Sequence, residues 1–418
     1  MATTQLEDTK PALVGALACQ LDPYRKEIKT TVYSCTDKPN SDGLYEIELL
    51  DTVLFPEGGG QPHDTGFIDD VEVVNVQRKG LDCIHYAKGS LAVGSTVIAK
   101  VDYERRWDHM QQHSGQHLIS AVMESEFGFE TLSWNLGLVK SHIELDTKNA
   151  TPTQEQIDKL EALLNDKIRS AISVNTVHIK QHDGAESNPD SLPKDYVGGV
   201  VRYVRIDGLD NNACCGTHVN NLKDLQVIKL LHTERIRGTN TCLFFLVGDR
   251  VTQYLHQSYA RERALTASLS CGPESHVDAV SKTQKQYKDT QKAVKSLLKE
   301  IADYVGKELV EAINDKGYIT YHREDADMTF LNLLTHHLKV ASPESVALLC
   351  GGPKKEGGPI IIIGNPDKVK KCSDIVTETL ANVKGGGKGR WQGKTSSWTN
   401  LETVFAKVSE TLTSLEAK

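Results

Sequence analysis

Three histidines recur at intervals of four in the stretch HMQQHSGQHL: His109, His113 and His117. Residues four apart share one face of a helix, close enough together to bind one ion. His113 with His117 makes one such half-site, and His109 with His113 makes another. All three cannot share one tetrahedral ion, because eight residues of helix rise about 12 Å. A second half-site stands far along the chain in CCGTH, where Cys214 and His218 are again four apart and Cys215 is an alternative three before His218. Imidazoles joined by a cysteine are a ligand set that suits zinc, one ion per chain. The helix of a zinc peptidase carries Glu directly after its first His as general base. Ser114 occupies that position, so peptidase chemistry is excluded.

For these residues to meet, a helix and a loop must present them to each other. Residues 104–127 contain few breakers and place Met110, Leu118, Ala121 and Val122 at helical spacing, which predicts a helix under the first half-site. VVRYVRID predicts a strand that delivers the loop GLDNNACCGTH. Upstream, LYEIELLDTVLF, FIDDVEVVNVQ, LDCIHYA and STVIAKVDY are short strands separated by turns, and they predict a small β-barrel over residues 1–102. After the first half-site comes the strand-like LGLVKSHIELD. In TPTQEQIDKLEALLNDKI a helix is expected with Thr151 as N-cap, Pro152 at the first helical position and Gln154 closing a capping box. Its apolar stripe is Ile157, Leu160, Leu164 and Ile168. Together with DLQVIKLLHTERI and TCLFFLVG these make an α+β, zinc-containing domain over residues 103–250.

Residues 251–310 read as helical, with Val280, Tyr287, Val294 and Ile301 at heptad spacing and Gln284 and Gln291 interrupting the seam. Residues 311–418 read as a small α/β domain: SVALLC, the turn GGPKKEGG, the strand PIIIIG, a helix after Asp367, the basic glycine loop KGGGKGRWQGK and an amphipathic helix from about Asn400. The class as a whole is α+β.

With 418 residues, 39% of them hydrophobic and 25% charged, the chain is long enough for several domains with real cores. A net charge of −8 excludes a protein that coats nucleic acid through bulk charge, but leaves room for a local basic face. Such faces are Arg105 and Arg106 ahead of the histidine helix, the lysines from Lys282 to Lys299, and Lys384, Lys388, Arg390 and Lys394, where Trp391 is placed to stack on a base. GGGKG lacks the spacing of a phosphate-binding P-loop. No apolar run is long enough for a membrane span. Nine cysteines without regular spacing are no disulfide framework, and MATTQLEDTK does not read as a leader, so a reducing cytoplasm is expected.

HSGQHLISA, CCGTHV and FPEGGGQPHDTG together resemble the AlaX family, the freestanding alanyl-tRNA editing proteins, and the editing domains of alanyl-tRNA synthetase and, more distantly, threonyl-tRNA synthetase. IELDTKNATPTQEQIDKLEALLNDKI is similar to the strand–helix segment between the half-sites in that family. The resemblance covers roughly residues 30–250. The remainder is similar in plan to the helical and C-terminal domains behind the editing domain in the synthetase, with KGGGKGRW as the cue, and the layout is that of the long animal form.

The resemblance implies zinc held by His113, His117, Cys214 and His218, with His109 left out. The family often reads CGGTH, and Cys215 stands here in place of the first glycine. It implies hydrolysis of the ester that joins a wrong amino acid to the 3′ end of tRNA(Ala), chiefly serine and also glycine, because a synthetic site rejects neither strongly by binding alone. Gln116 and Thr217, each beside a ligand, are candidates to orient water or ester. Gly58, Gly59 and Gly60 allow close backbone approach to a substrate, with Gln61 beside them. Thr131 and Ser133 are candidates to receive the serine hydroxyl. The tRNA contacts expected are Arg105, Arg106, Lys388, Arg390 and Trp391. No segment reads as an ATP-dependent aminoacylation domain, so the expectation is editing in trans, with tRNA as partner and neither ATP nor membrane. The alternative is a zinc-stabilised tRNA-binding or scaffold protein without catalysis, since four protein ligands are typical of structural zinc.

Overall fold

Period-two alternation in residues 27–101 leaves each strand with one apolar face, and closure into a barrel buries all of those faces at once. In the computed structural model the strands Glu27–Thr36, Tyr45–Leu49, Gly66–Ile68, Val71–Lys79, Asp82–Ala87 and Thr96–Val101 form that closed antiparallel barrel, with the first strand paired to both Tyr45–Leu49 and Thr96–Val101. A short strand, Thr3–Gln5, adds to Glu27–Thr36 outside the closure. Val32, Ile47, Leu54, Phe55, Val73 and Val76 fill the interior. The structure describes all residues except 1–2, 6–10, 148–149, 181–195, 197–198, 237–239, 340–341 and 417–418.

The barrel belongs to a larger compact unit, Met1–Arg263. The long helix Tyr103–Phe127 opens on Asp102, whose carboxylate accepts from the Arg105 amide at 3.3 Å, and closes on left-handed Gly128. It packs with the helix Gln154–Arg169 on a four-stranded antiparallel sheet ordered Ile228–Arg235, Thr241–Val247, Ser141–Leu145, Thr131–Asn135. Met110, Leu118, Val122, Leu160, Leu164 and Phe245 lie in their shared core. A three-stranded sheet, Val174–Lys180, Val200–Ile206 and Asp210–Ala213, carries the second half-site to it.

Two sequence expectations are corrected in this unit. The second helix starts two residues later than expected: Thr153 is the N-cap and Gln156 closes the box, while Thr151 and Pro152 stay outside. Both T-x-x-Q spacings satisfy the motif, and the later start leaves Pro152 and Ile157 buried at the two positions of a hydrophobic staple. Arg106, expected to face RNA, is wholly buried and ion-paired with Asp64 of the barrel. Its guanidinium also donates to the carbonyls of Pro23 at 3.1 Å and Val53 at 2.6 Å.

The second unit, Ala264–Lys418, is a three-layer sandwich. Its sheet runs in the order Tyr318–Arg323, Val346–Gly351, Gly358–Gly364, Arg390–Thr395, Lys384–Gly386. One face, with Ala347, Leu349 and Ile361, meets the C-terminal part of His276–Lys316 and Met328–Leu338. The other, with Val346, Leu348 and Ile360, meets Pro366–Thr379 and Leu401–Glu416. The heptad segment from residue 280 to 297 is exposed throughout. Trp391 is a second correction to the expected RNA contacts. It is only 7% exposed and lies in the core under the Pro366–Thr379 and Leu401–Glu416 helices, because alternation along Arg390–Thr395 points Arg390 outward and Trp391 inward. Among the described residues no helix is long and apolar enough to cross a membrane.

His85 gives the barrel a pH dependence. Its Nδ1 donates to the Ile47 carbonyl at 3.0 Å and its Nε2 accepts from the Thr52 hydroxyl at 2.9 Å, which fixes the neutral ring. Burial lowers its pKa to about 4. The unfolded chain takes up a proton near pH 6.5 that the folded barrel refuses, so stability from this group is complete above pH 6.5 and is lost as pH falls toward 4. The loss should reach up to about 3 kcal/mol. Urea unfolding at pH 7.5 and pH 5 should show about 2 kcal/mol of this loss in the wild type and a smaller difference in His85→Gln.

Candidate metal centre

The helix Tyr103–Phe127 and the loop after Asp210–Ala213 bring His113, His117, Cys214 and His218 together, with one donor atom from each lying within 4.8 Å of the others. His113 Nε2 is 3.4 Å and His218 Nε2 3.3 Å from Cys214 Sγ. The second nitrogen of every ring faces an oxygen from a different part of the fold. His113 Nδ1 donates to Gln61 Oε1 at 3.0 Å, His117 Nδ1 to the Asp210 carboxylate at 3.2 Å, and His218 Nδ1 sits 3.1 Å from Ser114 Oγ. These partners set the tautomers so that each Nε2 is turned toward the cluster. Three imidazoles and a thiol converging in this way could hold a metal ion.

The electrostatics agree. Burial opposes ionisation of Cys214, yet the imidazoles of His113 and His218 and the hydrogen bonds from His113 and His117 hold its thiol well below the usual range. Burial and the neighbouring His113 hold His218 down to about 3, so its ring is neutral. His117 differs: although burial opposes its charge, its hydrogen bonds to Asp210 and to the Cys214 sulfur raise its pKa to about 9, so a metal ion entering the cluster would displace a proton from that ring.

Arg202, from the strand Val200–Ile206, builds the loop. Its guanidinium is buried and donates to the carbonyls of Cys215 at 2.7 Å, Gly216 at 2.6 Å and Gln20 at 3.0 Å, with Cys214 at 3.4 Å. Gln20 Nε2 adds a bond to the Cys215 carbonyl at 2.9 Å. Gly216 has to be glycine, since a Cβ there would collide with the His113 ring. Opposite lies a two-residue turn. Gly58 and Gln61 exchange backbone hydrogen bonds at 3.1 Å, and Gly59 and Gly60 between them have φ of 59° and 77°, which glycine adopts without strain.

Of the residues expected at the site, the structure brings some together and disperses others. Gln61 faces inward, where its Oε1 accepts from His113 and from the Thr217 amide while its Nε2 donates to the Thr217 hydroxyl. Thr217 is thereby tied to Gln61. Gln116 donates to Ser120 Oγ at 3.0 Å, and Thr131 reaches the same oxygen at 2.8 Å, which makes a polar chain along the helix next to His113. Gln116 Oε1 is buried without a partner, and so is Nδ1 of His109. Ser133 points the other way, to Glu144 at 2.6 Å, because a bulge between residues 131 and 133 changes the face. Arg105 is half-buried and donates to the His63 carbonyl at 3.0 Å. Lys388 and Arg390 are exposed in the other unit, Arg390 bonded to Asn332. Sequence reasoning missed Ser114, Asp210 and Arg202, whose partners lie far away along the chain, and Trp134, which packs on Gly60.

Residues 201–241 match the model of the threonyl and alanyl tRNA synthetase second additional domain. The chain is 39% identical to alanyl-tRNA editing protein Aarsd1 of Rattus norvegicus over 96% of its own length and 100% of that protein. It is 40% identical to alanyl-tRNA editing protein Aarsd1-B of Xenopus laevis, over 96% and 99%. This chain belongs to the alanyl-tRNA editing protein family. A fungal relative, the putative alanyl-tRNA editing protein alaX of Saccharomyces cerevisiae, is 31% identical over 96% of this chain and 97% of its own. Where this family member departs from CGGTH, the structure accommodates the change. Cys215 has no positive φ, and its sulfur lies toward Gly58 and Gly59 and away from the cluster. Burial and the charge of Cys214 push its thiol up to about 12, so of the two sulfurs Cys214 is the one that could hold a metal ion with the three histidines.

Outer partners of metal-ligating histidines typically contribute a factor of about 10–100 in metal affinity. Asp210→Asn should therefore weaken metal retention by about that factor in a competition titration against a chelator, while His109→Ala leaves it unchanged.

Proposed function

We propose that this protein is a trans-acting aminoacyl-tRNA deacylase that clears mischarged tRNA(Ala), chiefly of serine and also of glycine, in the cytoplasm, and that its metal is one zinc ion. The observation that carries this reading is the four-donor cluster with every histidine oriented from outside, in a chain whose relatives are named alanyl-tRNA editing proteins. The donor set fits zinc, because one thiolate and three neutral imidazoles match its preference for sulfur and nitrogen. His113, His117, Cys214 and His218 would hold the ion, which supplies a Lewis-acid centre when bound.

The chain's own residues would do the rest. Gln116 presents an unpartnered buried oxygen, an acceptor suited to the ammonium group of the aminoacyl ester or to a water. Thr131, which donates to Ser120, would receive the serine hydroxyl that alanine lacks. A site built to bond a hydroxyl discriminates against a substrate without one, because its own polar group is then left unpaired. Thr217 and Gln61 serve the cluster by holding His113 and the loop. The tRNA body would meet the exposed Lys384, Lys388, Arg390 and Lys394 of the glycine-rich hairpin, with Arg105 near the site. The division into segments 1–102, 103–250, 251–310 and 311–418 belongs to this proposal, as do the absence of ATP use and of a membrane role.

The test is deacylation of seryl-tRNA(Ala) against alanyl-tRNA(Ala), by the wild type and by Cys214→Ala, with metal content measured on both. Fast serine release that is lost in Cys214→Ala, with alanine spared, is the expected result. Bound metal with neither ester cleaved would instead make the protein a zinc-stabilised RNA-binding module. Thr131→Val should lower the preference for seryl over glycyl ester by about three- to ten-fold, the worth of one hydrogen bond.

A further inference from the structure

A cleft of about 570 Å³ opens beside the glycine turn, lined among others by Gly58, Gly60, Gln61, Arg78, Trp134 and Asn135. Its size is within the roughly 300–1,000 Å³ of small-molecule sites. Gln61 forms part of the wall and also accepts the His113 hydrogen bond, so a ligand in the cleft stands one side chain from the cluster. Trp134 remains 39% exposed, whereas Trp391 and Trp398 are buried. Its indole lies directly over Gly60, where any Cβ would strike Nε1, so the turn's glycine makes room for this ring. A large aromatic side chain left exposed in a mostly polar cleft suits a flat ligand with polar edges, because any base has a face to stack. Asn135 and Gln77 carry amides able to bond such edges, and the wall also holds the Glu57 carboxylate and the Arg78 guanidinium, which donates to the Gly80 carbonyl at 2.5 Å.

Resting on the deacylase reading, we propose that this cleft receives the 3′-terminal nucleotide of the RNA, with its base stacked on Trp134. The sugar then lies on the Gln61 side of the cleft, toward the metal cluster. The glycine turn thus has two tasks: through Gln61 it orients His113, and through Gly60 it seats the ring that holds the nucleotide. Trp134 is a substrate-binding residue in this arrangement, and it takes no part in holding the metal.

The experiment compares two RNA hairpins copying the acceptor end of tRNA(Ala), one ending in CCA and one with an abasic sugar at the last position. Binding is measured for the wild type, Trp134→Ala and Trp134→Phe, each checked for metal content. The wild type should bind the abasic RNA about ten-fold more weakly, in the range known for one stacked base. Trp134→Ala should bind both alike, and Trp134→Phe should keep most of the preference, all with unchanged metal. If the wild type deacylates seryl-tRNA(Ala) but shows no base preference, or if Trp134→Ala keeps the preference, the subsite is wrong and the editing reading stands. A base preference that depends on Trp134, in a protein that cleaves no ester, would keep the subsite and sink the deacylase.

Discussion

A guanidinium shut off from water joins the histidine helix to the barrel, and the rest of the site depends on it. Arg106 meets both oxygens of Asp64 and two backbone carbonyls, and Asp64 in turn accepts from the Phe55 amide at 2.7 Å. A buried charge of either sign costs several kcal/mol unless it is paired and fully bonded, and losing one partner of such a pair costs about 3–5 kcal/mol. The helix can therefore take one rotation and one depth against the barrel. Two turns on from Arg106, on the same side of the helix, is His113. Three residues before Asp64 is Gln61, the side chain that orients His113. One ion pair thus aligns both a histidine of the cluster and the side chain that orients it.

A second arginine solves a different problem. The ligand loop must turn sharply to place Cys214 and His218 on one point, and a turning backbone leaves carbonyls without partners. Arg202 collects them. Its bonds to the loop are to carbonyl oxygens alone, whereas Arg106 also holds a carboxylate; burial works against its charge and the Cys214 sulfur supports it. The glycine turn closes the other side, with Cys215 against Gly59 and Trp134 against Gly60.

Much of this could be read from the residues, and the parts that could not be read have a common cause. Spacing of four on a helix and in a loop exposes both half-sites, because ligand geometry is local. Alternation exposes the barrel strands, and it also holds the correct reading of Trp391, whose neighbours Arg390 and Gln392 point outward. Arg106 misleads because a basic residue in the first turn of a helix resembles a surface group until its partner 42 residues away is known. Asp210, 93 residues from His117, and Ser114, 104 from His218, leave no local trace for the same reason. Thr131 and Ser133 look equivalent in sequence, and only the bulge between them sends one toward the site and the other to the open face of the sheet.

The carbonyls of Cys214, Cys215 and Gly216 all end on Arg202. In a planar trans peptide the oxygen and the amide hydrogen lie on opposite sides. Three successive peptide dipoles in the loop therefore have their negative ends on the arginine and their positive ends toward the glycine turn, where the Thr217 amide meets Gln61 Oε1 at 2.9 Å. Alignment of this kind makes a small pocket of positive potential out of uncharged groups. The loop accordingly favours negative charge on its inner side, where the Gln61 oxygen already takes up the Thr217 amide.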